Sequence, residues 1–248
     1  MRRVAGVVFD TDGVITDSAR VHAAAWKASF DACLKAHPPA DPYERRPFDR
    51  DDYLRYVDGK SRMDGAASFL ASRGLALPLG ALTDPPGTDT VGAVAAYKEQ
   101  LFTDQLRAGG IEAYPGTLLL LRHLRGRGVA MAAASASRHA RDLLSLSGVL
   151  PYFAAVVDGA EASRLGLPGK PAPDLFLEAA DRLGLPPGRT AVIEDSLAGV
   201  EAGRRGGFRL VVGVDRSAGS GTRAALLGRG ADTVVDDLSE LLTDSFEE

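Results

Sequence analysis

From about residue 112 onward the chain alternates between strand-like and helix-like segments, and this alternation constrains the fold more than any other feature of the sequence. The helices predicted from apolar residues spaced along one face cover 117–127, 138–147, 174–183 and 197–205. The strands predicted from short apolar runs cover 129–134, 154–157, 190–193 and 208–214, and a last helix and strand share 223–235. This order predicts an α/β fold: a doubly wound, Rossmann-like parallel sheet covered by helices on both faces.

Residues 17–111 break the alternation. Ser18 can cap a helix that runs to about residue 36, and further helical spacing covers 51–57, 63–72 and 90–106, without a convincing strand. The sequence therefore predicts an α/β core domain, formed by 1–16 and 112–248, that is interrupted by an all-helical cap domain at 17–111.

Composition excludes several classes of protein. The 248 residues suffice for a large domain with a smaller one attached, and a net charge of −4 gives no support to binding of nucleic acid or anionic membranes. The single cysteine, Cys33, rules out an intrachain disulfide and a cysteine zinc cluster. No apolar run approaches the roughly 18 residues that cross a bilayer, and acidic residues come too early for a signal peptide. We expect a cytoplasmic protein.

Polar residues follow the apolar runs at several points. The run at 4–9 ends in Asp10 and Asp12, and Gly13 then allows a sharp turn. Two acids in such a string can be a solvated turn. Here, however, the string follows an apolar strand, and further polar signals come after later strands, at Ser135 and at 194–195. Because a doubly wound sheet gathers its loops at the carboxyl ends of the strands, the sequence predicts a magnesium-dependent phosphoryl-transfer site with Asp10 as nucleophile.

Several motifs resemble those of the haloacid dehalogenase superfamily, in its β-phosphoglucomutase-like branch. They are, in the family's order, FDTDGVITD at 9–17, ASAS at 134–137, GKPAPD at 169–174 and EDSLAG at 194–199, with a weaker match in DGKSR at 58–62. The sequence departs from the family at Thr11, where Leu or Met is usual, and at Glu99 and His139, where Asn is common.

The resemblance implies a role for each residue of the core motifs. Asp10 would form an aspartyl phosphate, and Asp12 would act as general acid and base. Lys170 would balance charge between Asp10 and the phosphate. The other implied residues are Ser135, Ala136 and Ser137 for binding phosphate, and Asp10, Asp195 and the Asp12 backbone carbonyl for Mg²⁺, with Glu194 as a further ligand or a partner of the ligands. Outside this family context, Ser135 could be a helix cap, Lys170 a surface charge, and the 194–195 acids favourable charges at a helix N-terminus.

In the helical domain the resemblance implies substrate contacts from Gly59, Arg62 and Lys98, and a role for His22 in placing the general acid. The alternatives are packing for the His22–Trp26 pair, which lies at helical spacing, and solvated helix charge for Arg62 and Lys98.

These roles imply an enzyme that transfers phosphoryl groups on a small-molecule sugar phosphate, and the branch implies interconversion of β-glucose 1-phosphate and glucose 6-phosphate. A sugar-phosphate phosphatase shares the same chemistry and stays an alternative, followed by a non-catalytic sugar-phosphate binding protein. We expect a monomer that binds neither nucleic acid nor membrane.

Overall fold

A six-stranded parallel sheet forms the centre of the α/β part of the computed structural model, which describes residues 4–216 and 220–242. The strands are β1 (Gly6–Asp10), β2 (Ala130–Ala134), β3 (Ala155–Val157), β4 (Thr190–Glu194), β5 (Leu210–Val214) and β6 (Thr233–Val235). Their spatial order is β3-β2-β1-β4-β5-β6. In the register of the central strands, Val7 pairs with Met131 on one side and with Ala191 on the other. The order of connection reverses between β1 and β4, and ligands bind at such switch points in doubly wound sheets.

Helices cover both faces of this sheet. They are α5 (Pro115–Gly126), α6 (Ala140–Leu146), α7 (Gly159–Leu165), α8 (Asp174–Arg182), α9 (Leu197–Arg205) and α10 (Ser220–Gly228). The first four helices of the chain belong to the helical unit, which is described in the next paragraph. Successive side chains of β1 point to opposite faces, so Phe9 packs in one apolar cluster with Leu120 of α5, whereas Val8 packs in another with Phe176 of α8. Two-sided burial explains why the strands read as uninterrupted apolar runs.

The helical unit spans Ser18–Gly110, and the α/β unit comprises Met1–Asp17 and Ile111–Glu248. The helices of this unit are α1 (Ser18–Ala36), α2 (Arg50–Asp52, followed by a π-helical turn at Tyr53–Val57), α3 (Arg62–Ser72) and α4 (Val91–Gly109). Its core is aromatic: Phe30 stacks on Trp26 at 4.7 Å between ring centroids and contacts Phe69 at 4.1 Å.

The predicted fold class is confirmed, and the predicted helices and strands match the observed ones to within a few residues. Helix α7 was not predicted. It is seven residues long and none of them is buried, so it lacks the spaced buried positions by which the other helices were predicted. The Asp158 side chain caps it by accepting from the backbone N–H groups of Ala160 and Glu161. Among the described residues, no helix is long and apolar enough to span a membrane.

Candidate active site

Asp10 ends β1 and is nearly buried, with 5% of its surface exposed. Its Oδ1 accepts a hydrogen bond from Lys170 Nζ at 2.5 Å, and its Oδ2 accepts from the backbone N–H of Asp12 at 2.9 Å. Both carboxylate oxygens are therefore held in place by donors, which fixes the side chain at the carboxyl end of the central strand.

Lys170 lies between two carboxylates. Its Nζ is 2.5 Å from Glu194 Oε1 as well as from Asp10 Oδ1, and it lies 4.8 Å from the centroid of the Phe176 ring. The second oxygen of Glu194 accepts from the backbone N–H of Ser196 at 2.6 Å. Lys170 is 5% exposed, so the alternative of a solvated surface lysine is wrong.

The charges of this cluster do not balance. Burial raises the pKa of Asp10 well above its usual value, and the charges of Glu194 and Asp12 add to that effect against the opposing attraction of Lys170. Burial alone would lower the pKa of Lys170, but attraction to Asp10 and Glu194 outweighs it and raises that pKa. One ammonium thus contacts two carboxylates, the charged form of Asp10 is disfavoured, and a bound cation would stabilise that form.

Ser135, at the end of β2, connects the second aspartate to the loop that follows. Its Oγ donates to Asp12 Oδ2 at 3.0 Å and accepts from the backbone N–H of Ser137 at 3.0 Å, and Ala136 lies within the same turn. The hydroxyl is fully buried at the carboxyl end of a strand next to β1. Its contact with Asp12 goes beyond the alternative of a simple helix cap.

Asp195 lies against the turn that follows β1. A Cβ atom built on Gly13 would be 1.8 Å from Asp195 Oδ2, and Gly13 has a φ of +79°. Only glycine permits both that backbone conformation and the close approach of the carboxylate. The Asp195 side chain is therefore beside the backbone of the Asp12–Gly13 segment, at the switch point between β1 and β4.

The oxygen donors at this end of the sheet fit the coordination of Mg²⁺. Mg²⁺ is usually held by one or two carboxylates together with water and substrate phosphate. Carboxylates of Asp10 and Asp195 and the carbonyl of Asp12 supply oxygen donors of that kind. Among the described residues there is no group of three or more His, Cys, Asp or Glu side chains arranged to hold a metal by itself. Both oxygens of Glu194 have protein partners, as do both oxygens of Asp10, so these contacts leave both of its predicted roles, ligand or partner of the ligands, as predictions.

The residues selected in the helical unit have a different environment. Lys98 is 3% exposed, its Nζ is 2.7 Å from His22 Nδ1, and it lies 4.5 Å from the centroid of Phe102. His22 stacks on Phe102 at 3.9 Å, so packing is part of its role. Solvated helix charge is therefore wrong for Lys98.

Arg62 begins α3, and its Nη1 is 3.7 Å from Glu99 Oε1. Gly59 lies in the turn before α3 with a φ of +72°. The structure thus places the two residues at the start of the same helix. Their predicted contact with substrate stays a prediction.

Arg216 was not selected from the sequence, although its guanidinium reaches the loop that carries Asp12: Nε lies 3.3 Å from the carbonyl oxygen of Gly13. The available signal was its position two residues after β5, at the sheet edge where the other polar residues gather.

Comparison with known proteins agrees with this geometry. Residues 4–207 match the model of a family described as haloacid dehalogenase-like hydrolase. The chain belongs to this family. The resemblance predicted from the motifs is thereby confirmed, and the chain is an enzyme of the family's phosphomutase and phosphatase kind.

Relatives within the family cover nearly the whole chain. A β-phosphoglucomutase of Mycobacterium tuberculosis is 42% identical over 241 residues, covering 97% of this chain and 92% of its own length. A β-phosphoglucomutase of Bacillus subtilis is 30% identical over 246 residues, covering 98% and 93%. The crystal structure of a Clostridium difficile β-phosphoglucomutase superimposes with a TM-score of 0.72 over 98% of this chain and 96% of that one. At 22% identity, that likeness supports the fold alone.

Proposed function

We propose that this enzyme is a magnesium-dependent phosphotransferase that acts on sugar phosphates through an aspartyl phosphate at Asp10, and that its reaction is that of a β-phosphoglucomutase. The observation that carries the proposal is the buried Asp10–Lys170–Glu194 cluster at the switch point of the sheet, with Asp12 beside it. The M. tuberculosis and B. subtilis relatives are named for this reaction and match over nearly their full lengths.

The first chemical step forms a bond between a carboxylate oxygen of Asp10 and phosphorus while the bond from phosphorus to the sugar oxygen breaks. The departing oxygen takes its proton from Asp12, which must be protonated at this point. Lys170 holds Asp10 in place and reduces the repulsion between carboxylate and phosphate. Mg²⁺, held by Asp10, Asp195 and the Asp12 carbonyl, would supply the remaining positive charge.

In the second step the phosphoryl group leaves Asp10 for a hydroxyl oxygen. Asp12, now a carboxylate, removes the proton from that hydroxyl. In a mutase the donor of the first step is a sugar bisphosphate, whose remainder leaves as a monophosphate, and the hydroxyl belongs to the unphosphorylated end of an incoming sugar monophosphate, so a bisphosphate forms again. The bisphosphate then returns its original phosphoryl group to Asp10 and leaves as the isomeric monophosphate.

Other parts of the proposal concern the setting of this reaction. The backbone N–H of Ser137, the Ala136 turn and the Ser135 hydroxyl would bind phosphate oxygens. The helical unit would act as the cap, with Gly59, Arg62, Lys98 and His22 contributing to substrate binding, and it would limit the access of water. We expect a monomeric cytoplasmic enzyme whose partner is a small molecule.

A phosphatase is the second candidate, because the matching family is described as a hydrolase. It would share the first step and differ only in the acceptor, which would be water. The two differ in how long the site stays closed to water during the life of the aspartyl phosphate.

Acid-quenched reactions with a sugar phosphate labelled in its phosphoryl group test the shared step. Wild type should retain label on protein, Asp10→Asn should retain none, and Thr11→Val, altered in the same loop, should behave as wild type. Absence of label from wild type would refute the aspartyl phosphate. Products from β-glucose 1-phosphate with a trace of the 1,6-bisphosphate then separate the candidates: glucose 6-phosphate supports the mutase, and mainly free phosphate supports the phosphatase.

A further inference from the structure

The side chain of Arg216 bridges two regions of the α/β unit. Its Nε lies 3.3 Å from the carbonyl oxygen of Gly13, and its Nη2 lies 3.5 Å from that of Val14. On the other side its Nη1 donates to Asp237 Oδ2 at 3.0 Å. The planar guanidinium carries its donors on three nitrogen atoms in a fixed fork, so one side chain reaches these separate acceptors.

Arg216 also contacts Tyr114, which is itself hydrogen-bonded to the same loop. The guanidinium carbon lies 3.9 Å from the centroid of the Tyr114 ring. The backbone N–H of Tyr114 donates to the Ile15 carbonyl at 3.0 Å, and its hydroxyl donates to Asp17 Oδ1 at 3.0 Å. Burial raises the pKa of Tyr114, and the charge of Asp17 adds to the shift, so the hydroxyl stays a donor.

These contacts act on a compact segment, residues 11–17, which we name the catalytic loop. Within it the backbone N–H of Gly13 donates to the Thr16 carbonyl at 2.9 Å, and that of Ile15 donates to the Thr11 carbonyl at 3.0 Å. Asp12 is part of this hydrogen-bonded turn, so the direction of its carboxylate depends on the conformation of the loop as well as on the Ser135 hydroxyl that donates to its Oδ2. Arg216 binds the carbonyl groups of the two residues that come directly after Asp12.

We propose that Arg216 is a positioning residue for the general acid: it holds the catalytic loop in the conformation that directs the Asp12 carboxyl group at the leaving oxygen. The inference rests on the proposed function and deepens it. Arg216 acts through the loop backbone, and Asp12 carries out the proton transfer.

A general acid matters most when the leaving group is a poor one. A sugar alkoxide has to be protonated as it departs, whereas dinitrophenolate is stable as an anion and departs without a proton. Loss of Arg216 should therefore slow phosphorylation of Asp10 by a sugar phosphate and spare phosphorylation by 2,4-dinitrophenyl phosphate. A residue that only supports the fold would affect both donors alike.

The test compares Arg216→Met with Arg223→Met as a matched control. Arg223 binds Asp236 Oδ1 at 2.7 Å and the Val234 carbonyl, so its loss disturbs the same end of the sheet without a described contact to the catalytic loop. First-turnover rates are measured by rapid quench for the sugar phosphate and by dinitrophenolate release for the aryl phosphate, each over a range of concentrations.

For Arg216→Met we expect the maximal first-turnover rate with the sugar phosphate to fall by about 10-fold or more, a part of the roughly 10²–10⁴-fold that a general acid contributes. The aryl phosphate rate and the half-saturating concentrations should change by less than about threefold, and Arg223→Met should match wild type. In an Asp12→Ala background, Arg216→Met should have no further effect on the sugar phosphate rate, because the two residues act in one step.

Three outcomes would each overturn the inference. They are equal losses of rate with both donors, no loss of rate with the sugar phosphate, and a loss of rate with the sugar phosphate that persists undiminished in the Asp12→Ala background. If Arg216→Met does not fold, Arg216→Lys carries the same test, since it keeps the charge beside Asp237 and loses the planar fork. Failure of the proposed function would look different: wild type itself would form no phosphoenzyme with either donor.

Discussion

Two buried lysines, one in each unit of the molecule, illustrate how the two regions use charge. Lys170 in the α/β unit and Lys98 in the helical unit are 5% and 3% exposed, and each ammonium lies over a phenylalanine ring. Lys170 is 2.5 Å from each of two carboxylates. Lys98 is 2.7 Å from an imidazole nitrogen, that of His22, and 5.5 Å from the centroid of Trp26.

The carboxylates of the helical unit are compensated in another way. Asp52, which is 1% exposed, binds Arg73 at 2.5 Å and Arg46 at 2.7 Å, and Arg73 also binds Glu44 at 3.0 Å. Two guanidinium groups thus meet one buried carboxylate, Asp52, and two more exposed ones, Glu44 and Asp49, so that the buried members, Arg73 and Asp52, balance each other. Among the described residues of the α/β unit, by contrast, Lys170 is the cation paired with both Asp10 and Glu194, with Asp12 close by. A balanced buried network can serve structure alone, whereas an excess of buried negative charge indicates a site that takes up a cation.

Lys170→Met should have the largest effect, because it removes the cation from between Asp10 and Glu194. We expect turnover of the sugar phosphate at saturation to fall by about 10²–10³-fold. We also expect the free energy of unfolding without magnesium to fall by about 3–5 kcal/mol, as two buried carboxylates lose their partner. Steady-state kinetics and urea denaturation measure the two effects. Turnover within tenfold of wild type would show that the Lys170 ammonium is not needed for phosphoryl transfer.

Asp52→Asn should show the opposite pattern, with an effect on stability and little on turnover. It leaves the buried Arg73 with Glu44 as its remaining described carboxylate partner, and we expect the helical unit to lose about 3 kcal/mol of stability. Turnover of the folded enzyme should stay within about twofold of wild type. Asp104→Asn is the control: its pair with Arg107 is exposed and should contribute less than about 1 kcal/mol.

Cys33 allows the stability of the helical unit to be followed directly. It is fully buried in the core of that unit, where burial, with a further contribution from Asp89, raises its pKa to about 11. At pH 8 a thiol reagent should therefore react with it only when the unit opens, and Asp52→Asn should label much faster than wild type or Asp104→Asn. Equal labelling rates would contradict a stabilising role of the Asp52 network.

The contrast between the two regions also separates what the sequence predicts from what it does not. Asp10, Ser135 and Asp195 could be selected because each follows an apolar strand, and the carboxyl ends of parallel strands meet at one edge of a sheet. Such placement depends on topology alone, which local patterns determine well.

Side-chain pairing was not predictable in the same way. His22 and Lys98 are 76 positions apart, and Arg216 and Gly13 are 203 apart, so their contacts depend on how helices and loops pack after the sheet has formed. The role of Glu194 stayed open in the sequence for the same reason: it depends on where the Lys170 loop places its ammonium group.

Lys98→Met should have a smaller effect than either substitution above, and it tests whether Lys98 binds substrate. The Met side chain can occupy the space beside Trp26 and Phe102, so stability should change by less than about 1 kcal/mol. If Lys98 contacts the substrate, KM for the sugar phosphate should rise by about tenfold, the lower end of what a hydrogen bond to a charged group contributes. Lys27→Met, which alters a half-exposed lysine of the same unit, should leave KM unchanged. An unchanged KM in both variants would assign Lys98 to packing alone.

Thr11→Val should have the smallest effect, and the test is whether it raises or lowers the free energy of unfolding. The Thr11 hydroxyl is fully buried and has no hydrogen-bond partner within the described structure, while Thr117, equally buried, donates to the Val14 carbonyl at 2.7 Å. The same isosteric change should therefore stabilise the protein by about 1 kcal/mol at position 11 and destabilise it by about 1 kcal/mol at position 117. Urea denaturation of both variants measures the difference, and turnover of Thr11→Val should stay within about twofold of wild type. Destabilisation at both positions would mean that the Thr11 hydroxyl is satisfied in solution. The catalytic loop would then depend on one more polar contact than those described around Asp12.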